Sequence, residues 1–236
     1  MAQPTQQAVI EAVRPLGAKV RELTLRPKEF PLQFRPGQWV SLKLPVGRRP
    51  PLVRPYSMAL PDRQDGRLTL CLDHVPGGLG SSYLFTLGPG DEVALSGPVG
   101  TFVLPDAPEA ALVFVARFTG IVPIRCMLLA LLESGFSRDI LLIYGAECSE
   151  DLVYGDELTA LSARHPSFHY VPTLLAPEPG WTGEVGAEAE LVRRLVPRGT
   201  GYLPYVCGLS EMITPVRAVF QEHGFDRRQV RCEKYH

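Results

Sequence analysis

Apolar residues in the first hundred positions recur with a period of two, in short runs separated by proline and glycine. Alternation of this kind predicts half-buried β-strands. The runs are 8–17, 18–27, 38–45, 54–61, 67–75 and 91–100. Six strands in close succession favour an antiparallel barrel over a β–α–β layout. The segment "SSYLFTL" (81–87) interrupts them and predicts a short helix, with Ser81 or Ser82 as its N-cap.

The pattern changes after about residue 105, where apolar strand-like runs alternate with longer helical stretches. The strand-like runs are 111–116, 139–146, 168–176 and 201–208, and the helical stretches are 124–134, 150–165, 184–196 and 210–224. Such alternation implies a parallel sheet with helices on both faces. We therefore predict two domains: a six-stranded antiparallel Greek-key barrel over 1–105, and a Rossmann-like parallel α/β domain over 106–236.

Three segments of the second half follow predicted strands and are candidates for a ligand site. They are "ARFTG" (116–120), "YGAEC" (144–148) and "VCGL" (206–209). In open α/β sheets, ligands bind beyond the carboxyl ends of the strands. We expect the three segments to lie on one rim of the sheet, with the first forming a strand-to-helix turn.

Charge and composition exclude several classes of protein. The net charge of −1 argues against a dedicated nucleic-acid binder. The charge is divided unevenly, +4 over 1–105 and −5 over the remainder. This is either chance unevenness or a basic surface that attracts an acidic partner protein.

The longest apolar run, "MLLALL" (127–132), is far too short to span a bilayer, and the first residues carry no signal-peptide pattern. We expect a cytoplasmic protein without a membrane partner. The five cysteines lie far apart and form no CxxC, so we predict no metal site. Their odd number is typical of free thiols in a reducing compartment.

The segment "RPYS" (54–57) stands in one of the barrel runs. Arg54 could pair with phosphate oxygens, Tyr56 offers a stacking face, and Ser57 offers a small hydroxyl. Four residues recur by chance, so this segment alone is a weak signal.

Further segments, in the same order along the chain, resemble the ferredoxin–NADP⁺ reductase family. They are "FRPGQWVSLKL" (34–44), "RPYS", "PGGLGSSYLFTLGPGDEVALSGPVGTF" (76–102), "TGIVPIR" (119–125), "VCGLSEM" (206–212) and the terminal "EKYH" (233–236). The resemblance covers most of the chain. It is to the flavin- and nucleotide-binding module found in phenol hydroxylase-type reductases, without a fused iron–sulfur domain.

The resemblance implies an FAD site in the first half. Arg54, within the motif that includes Pro55, would bind a flavin phosphate, and Tyr56 would pack on the flavin ring. Ser57 would act catalytically by hydrogen-bonding near the atom that accepts hydride. The other implied cofactor contacts are His74, for which a surface role is equally open, and the pyrophosphate-binding Gly78, Gly80, Ser81 and Ser82. A segment of this length favours FAD over FMN.

The resemblance also implies a nicotinamide-nucleotide site in the second half. Thr119 and Gly120 would approach the pyrophosphate, and Gly208, Leu209 and Met212 would line the site. The implied catalytic residues here are Cys207 beside the nicotinamide, Glu233 for proton handling and Tyr235 shielding the flavin. The nucleotide is NADH or NADPH.

The chain departs from the family pattern at three places. Arg117 and Phe118 stand where relatives have glycine-rich residues, so they could crowd the phosphates, supply a cation or point away. Glu147 would repel a 2′-phosphate and favours NADH, with Ser149 as counter-evidence. His236 extends the chain beyond the aromatic residue and could cover the flavin or lie in solvent.

The function that follows is an FAD-dependent NAD(P)H oxidoreductase that exchanges electrons with a ferredoxin or another iron–sulfur or oxygenase component. Two alternatives stay open. One is a free-flavin reductase. The other is a flavin-binding electron-transfer subunit whose nucleotide site is lost or altered by Arg117 and Phe118.

Overall fold

A computed structural model describes residues 4–47 and 50–235, so His236 lies outside the described residues. The chain divides into two compact units. The first comprises the residues up to Val103 together with Arg125–Ala130, and the second comprises Leu104–Ile124 and the residues from Leu131 onward.

The first unit is a six-stranded antiparallel sheet closed into a barrel, as predicted. Its elements are β1 (Thr5–Pro15), β2 (Val20–Pro27), β3 (Trp39–Leu44), β4 (Leu52–Ser57), β5 (Leu68–Asp73), α1 (Leu79–Thr86) and β6 (Glu92–Val99). The strand order is β4-β3-β6-β1-β2-β5, and a bridge between Met58 and Leu70 joins the two outer strands. Because β6 pairs with both β1 and β3, the connectivity crosses over as in a Greek key.

The period-two pattern explains the barrel core. Alternate residues such as Leu23 and Leu25 on β2 and Leu42 and Leu44 on β3 are fully buried. Removing this apolar area from water stabilises the barrel.

The start of α1 differs from the sequence prediction. The N-cap is Gly78, which makes no side-chain cap, rather than Ser81 or Ser82. The Ser81 hydroxyl instead accepts from the Val75 backbone N–H at 3.1 Å and lies 3.2 Å from the Gly78 carbonyl oxygen. These local bonds close the loop before the helix, so the prediction of a serine N-cap was wrong.

The second unit is a parallel sheet, as predicted, with six strands instead of the four that the sequence pattern indicated. Its strands are β7 (Ala111–Arg117), β8 (Ile140–Ala146), β9 (Phe168–Leu174), β10 (Glu184–Val185), β11 (Tyr202–Gly208) and β12 (Arg231–Lys234), in the order β10-β9-β8-β7-β11-β12. The short edge strands β10 and β12 were not predicted as strands, because neither shows an apolar alternation.

The helices of the second unit connect the strands of the parallel sheet. They are α2 (Ile121–Glu133), α3 (Gly155–Arg164), α4 (Glu188–Leu195) and α5 (Ser210–Glu222). Helix α3 begins later than the pattern predicted, because Tyr154 has a φ of +64° and stops helical geometry there. A 3₁₀ turn, Phe118–Gly120, connects β7 directly to α2.

Candidate functional site

The end of β4 carries the motif residues of the barrel. Arg54 and Tyr56 are two residues apart and therefore project to the same face of the sheet, whereas Pro55 is exposed on the other face. Tyr56 is half-buried, and burial, followed by the charge of Asp73, raises its pKa to about 12. Ser57, at the strand end, is only 5 % exposed. The tyrosine thus stays protonated and can present its ring as a neutral face.

Gly80 allows α1 to start against β3 and β4. A Cβ at Gly80 would lie 3.1 Å from both Leu44 Cδ1 and Leu52 Cδ2, and 3.5 Å from Arg54 Cγ. The stem of Arg54 therefore runs beside the first turn of α1. Backbone N–H groups at the start of a helix lack helical partners and attract anions.

The serines of this segment have different surroundings. The Ser81 hydroxyl is engaged in the loop described above, so its backbone N–H is the group that could meet a ligand. The Ser82 Oγ lies 3.5 Å from His74 Nε2. The His74 ring packs edge-on against Phe85, with centroids 5.1 Å apart. His74 thus lies against one side of α1, as a cofactor-lining histidine would.

Arg21 is a residue of this region that sequence reasoning did not select. Its guanidinium carbon lies 4.3 Å from the centroid of the Phe85 ring. Its Nε and Nη2 atoms are buried without a hydrogen-bond partner among the described residues. Burial lowers the pKa of Arg21, although a guanidinium remains charged at neutral pH. This half-buried cation adds positive potential beside α1.

These residues fit the pyrophosphate of FAD. The Gly78 N-cap of α1 makes no side-chain cap, the Arg54 stem lies beside the first turn, and Gly80 leaves no side chain over the helix start. Arg54 and the N–H groups would hold the phosphates, and Tyr56 would pack on the ring.

The turn between β7 and α2 packs closely against the end of β11. A Cβ at Gly120 would lie 2.3 Å from the Cys207 carbonyl oxygen, so only glycine fits there without displacing backbone. Thr119 is buried, at 7 % exposure. Phe118 has a φ of +46°, and its carbonyl accepts a hydrogen bond of 3.0 Å from the Tyr144 hydroxyl. The phenylalanine therefore adopts backbone geometry that favours glycine.

Arg117 is held by a glutamate rather than directed into the turn. Its Nε donates to Glu188 Oε1 at 2.8 Å and its Nη2 donates to Glu188 Oε2 at 2.5 Å. The Glu188 side chain is 1 % exposed and that of Arg117 is 15 % exposed. Hydrogen bonding to Glu188 raises the pKa of Arg117 further. Sequence reasoning missed Glu188, because the two residues are far apart along the chain.

Gly145, on β8 opposite Arg117, makes room for this ion pair. A Cβ at Gly145 would lie 1.8 Å from Glu188 Oε1. A glycine at a strand end is often interpreted as a ligand-binding position. At Gly145, the missing side chain instead leaves room for the Glu188 carboxylate.

The predicted catalytic residues of this unit converge at the end of β11. Strand β12 is parallel to β11 and brings Glu233 opposite Cys207, and the Tyr235 N–H donates to the Gly208 carbonyl at 2.9 Å. Burial raises the pKa of the Cys207 thiol well above its ordinary range, and the charge of Glu233 adds to this, against a side-chain hydrogen bond with Tyr235. At neutral pH, Cys207 is a thiol and not a thiolate nucleophile.

The residues after Cys207 have three different environments. Gly208 is enclosed, since a Cβ there would lie 2.6 Å from Met212 Cε. Leu209, the N-cap of α5, is 47 % exposed. Met212 is fully buried and belongs to the apolar core of the unit. Leu209 is thus accessible to a ligand, whereas Met212 supports Gly208 from beneath.

The loop after β8 is acidic. Glu147 is exposed, and Ser149 donates through its backbone N–H to Glu178 Oε2 at 2.9 Å and through its hydroxyl to Glu178 Oε1 at 2.7 Å. These bonds lower the pKa of Glu178. The donors of Ser149 are therefore already occupied by a carboxylate.

Within residues 4–47 and 50–235, none of the helices has the length and apolar character needed to cross a bilayer. No group of three or more His, Cys, Asp or Glu residues in that part of the chain could hold a metal ion. All five cysteines are free thiols.

Known proteins share both units. The oxidoreductase FAD-binding domain family matches residues 10–104, and the oxidoreductase NAD-binding domain family matches residues 114–218. Ferredoxin–NADP reductase B of Sorangium cellulosum is 37 % identical over 97 % of this chain and 97 % of its own length. The toluate 1,2-dioxygenase electron transfer component of Pseudomonas putida is 31 % identical, over 97 % of this chain and 67 % of its own.

A solved structure, the Amycolatopsis cytochrome P450 reductase, superimposes with a TM-score of 0.86 at 28 % identity and covers 98 % of this chain and 70 % of its own. Fold and matches together define a two-domain oxidoreductase that binds FAD and a nicotinamide nucleotide. The chain belongs to the ferredoxin–NADP reductase family of flavoproteins.

Proposed function

We propose that this protein passes electrons from a nicotinamide nucleotide, through FAD, to a separate one-electron acceptor such as a ferredoxin or an oxygenase component. When bound, FAD takes two electrons from the nucleotide and releases them singly. The relatives named as a ferredoxin reductase and a dioxygenase electron transfer component support this acceptor class. The convergence of Cys207, Glu233 and Tyr235 at the end of β11 is the observation that carries the proposal.

Each domain has a separate part in the proposal. The domain over 1–105 holds FAD through Arg54, Tyr56 and the start of α1, with Ser57 at the reacting part of the ring. The domain over 106–236 holds the nucleotide. Its neutral Cys207 thiol supports the nicotinamide without attacking it, and the Glu233 carboxylate, opposite Cys207 on the neighbouring strand, handles protons. The five free cysteines support a reducing, cytoplasmic location.

Anaerobic mixing of the FAD-loaded protein with NADH and with NADPH tests the proposal. We expect the flavin absorbance to bleach within seconds, and then to recover on addition of an oxidised ferredoxin. If neither nucleotide bleaches the flavin, the protein is not a reductase. The result would then support the second candidate, an electron-transfer subunit with an altered nucleotide site. The Arg117–Glu188 pair on the sheet rim is the observation that favours this candidate.

We propose NADH as the preferred nucleotide. A 2′-phosphate is bound by cations and hydrogen-bond donors, whereas here Glu178 occupies both donors of Ser149 and Glu147 adds a second negative charge. Changing Glu178→Ala frees the donors of Ser149. We expect the NADPH:NADH ratio of kcat/KM to rise by about fivefold, the size of effect one charge has at a solvated site. Glu150→Ala, which removes a neighbouring exposed charge, is the control and should change the ratio by less than twofold.

A further inference from the structure

Arg117 combines three features that the family resemblance does not explain. It stands where glycine is expected, its guanidinium is fixed by a buried carboxylate, and the neighbouring strand has a glycine only to admit that carboxylate. We propose that Arg117 is a binding residue for the pyrophosphate of the nicotinamide nucleotide, held in position by Glu188. This inference rests on the proposed function and adds a specific residue to it.

The geometry of the pair fixes the guanidinium. Two parallel hydrogen bonds, from Nε and Nη2 to the two oxygens of Glu188, leave the planar group little freedom to rotate. A buried ion pair is usually no more stabilising than apolar residues of the same volume. The presence of the charged pair Arg117–Glu188 at this position is therefore better explained by a role in binding than by a contribution to stability.

The surroundings of the pair place it on the ligand-binding rim. Arg117 ends β7, Gly145 lies opposite it near the end of β8, and Gly208 ends β11. A Cβ at Gly208 would lie 3.7 Å from both the Cβ and the backbone nitrogen of Arg117. The carboxyl ends of three parallel strands thus enclose the pair, at the edge where α/β sheets bind ligands.

The third nitrogen of the guanidinium remains available. Nη1 makes no hydrogen bond within the part of the chain that the structure describes, and it forms a longer ion pair with Glu211 Oε1 at 3.6 Å. Glu211 is the second residue of α5, and its side chain is 70 % exposed. Nη1 therefore faces the start of α5 and can donate to a phosphate oxygen, while Glu211 competes for it.

The turn that follows Arg117 keeps the backbone shape that a glycine would give. Phe118 has a positive φ, and its carbonyl is bound by Tyr144. The backbone at Phe118 thus has a glycine-like conformation even though both side chains are large. Compared with a glycine-rich turn, this turn carries one additional cation of fixed orientation, the Arg117 guanidinium.

Equilibrium binding of NAD⁺ to the FAD-loaded protein, measured by calorimetry, tests this role. The variant Arg117→Gln with Glu188→Gln removes both charges and leaves amides able to hydrogen-bond. We expect it to bind NAD⁺ about tenfold more weakly, as loss of a charge-assisted bond predicts. Adenosine, which lacks phosphates and is measured by competition, should bind within twofold of wild type. Arg193→Gln with Glu222→Gln makes the same change in an exposed pair and should alter neither affinity.

The variant Glu211→Gln tests the role without disturbing a buried group. It should tighten NAD⁺ binding about threefold in the wild-type background, and not in the double variant, because it removes the competitor for Nη1. Unchanged or tighter NAD⁺ binding by the double variant would overturn the proposal, as would equal losses for NAD⁺ and adenosine, or no effect of Glu211→Gln. Failure of the proposed function itself would show differently, as wild-type flavin that no nucleotide bleaches.

Discussion

The two regions proposed to bind phosphates differ in how each holds its arginine. In the barrel, Gly80 keeps the start of α1 clear and the Arg54 side chain runs exposed beside it, with no acid bonded to its guanidinium among the described residues. On the rim of the parallel sheet, the Arg117 side chain is half-buried, paired with the buried Glu188 and close to a second acid. A free cation beside helix N–H groups binds an anion strongly. A neutralised cation on a rim that also carries Glu147 binds an anion weakly and allows it to exchange. Strong binding suits FAD, which stays bound, and weak binding suits a nucleotide, which must leave after each reaction.

The largest expected effect is on the free energy of unfolding, when one glycine in each region is changed to alanine. Gly120→Ala places a Cβ 2.3 Å from a backbone oxygen, so the turn or β11 must move. We expect a loss of about 3 kcal/mol or more in the free energy of unfolding, seen as a lower thermal midpoint. Gly80→Ala meets only side-chain methyl groups at 3.1 Å and should cost less than about 1.5 kcal/mol. Equal losses would mean that the two glycines are constrained alike.

Ser57→Ala tests the reacting part of the barrel site. Because Ser57 is buried at the end of β4, removing its hydroxyl should leave FAD bound. We expect flavin reduction by NADH in single-turnover mixing to slow by about 10²-fold, as loss of an oriented hydrogen-bonding group produces. Ser41→Ala on the neighbouring strand is the control. A normal rate in Ser57→Ala would remove Ser57 from the catalytic residues.

Arg54→Ala tests whether the exposed cation retains the cofactor. We expect FAD to bind about 10- to 100-fold more weakly, from loss of one charge-assisted bond, measured by fluorescence of released flavin on dilution. Arg35→Ala, which removes another charge from the barrel, should change little. Wild-type retention in Arg54→Ala would leave the start of α1 as the main phosphate contact.

The smallest effect concerns the Cys207 thiol. Its folded pKa is raised above the ordinary value of 9.0, so its contribution to stability is fully present below that pH and is lost as the pH rises towards the folded pKa. Thermal midpoints of wild type and Cys207→Ser should therefore run parallel up to about pH 8.5 and approach each other above it. Curves that stay parallel up to pH 10 would show that the Cys207 thiol has the same pKa in the folded and the unfolded protein.

The folds of both units were predictable because their strands obey simple periodicity. The candidate site residues were selected because they form short local motifs, and their roles stay predictions. The rest depended on contacts between distant residues. The sequence prediction selected neither Glu188 nor Arg21, since nothing near them in the chain indicates their partners. Strand β12 was missed because "RCEK" is a short, polar edge strand. The serine N-cap failed because Ser81 bonds backwards to its own loop.

Strand β12 has one consequence for how the protein fluctuates. It is four residues long, lies at the sheet edge and is paired with β11 alone among the described strands. Edge segments with few neighbours open at lower free energy than central strands, and they open as a unit. Glu233 and Tyr235 would therefore leave Cys207 together and return together. Amide exchange at β12 would then report the fraction of molecules that are momentarily incompetent for catalysis while both domains remain folded.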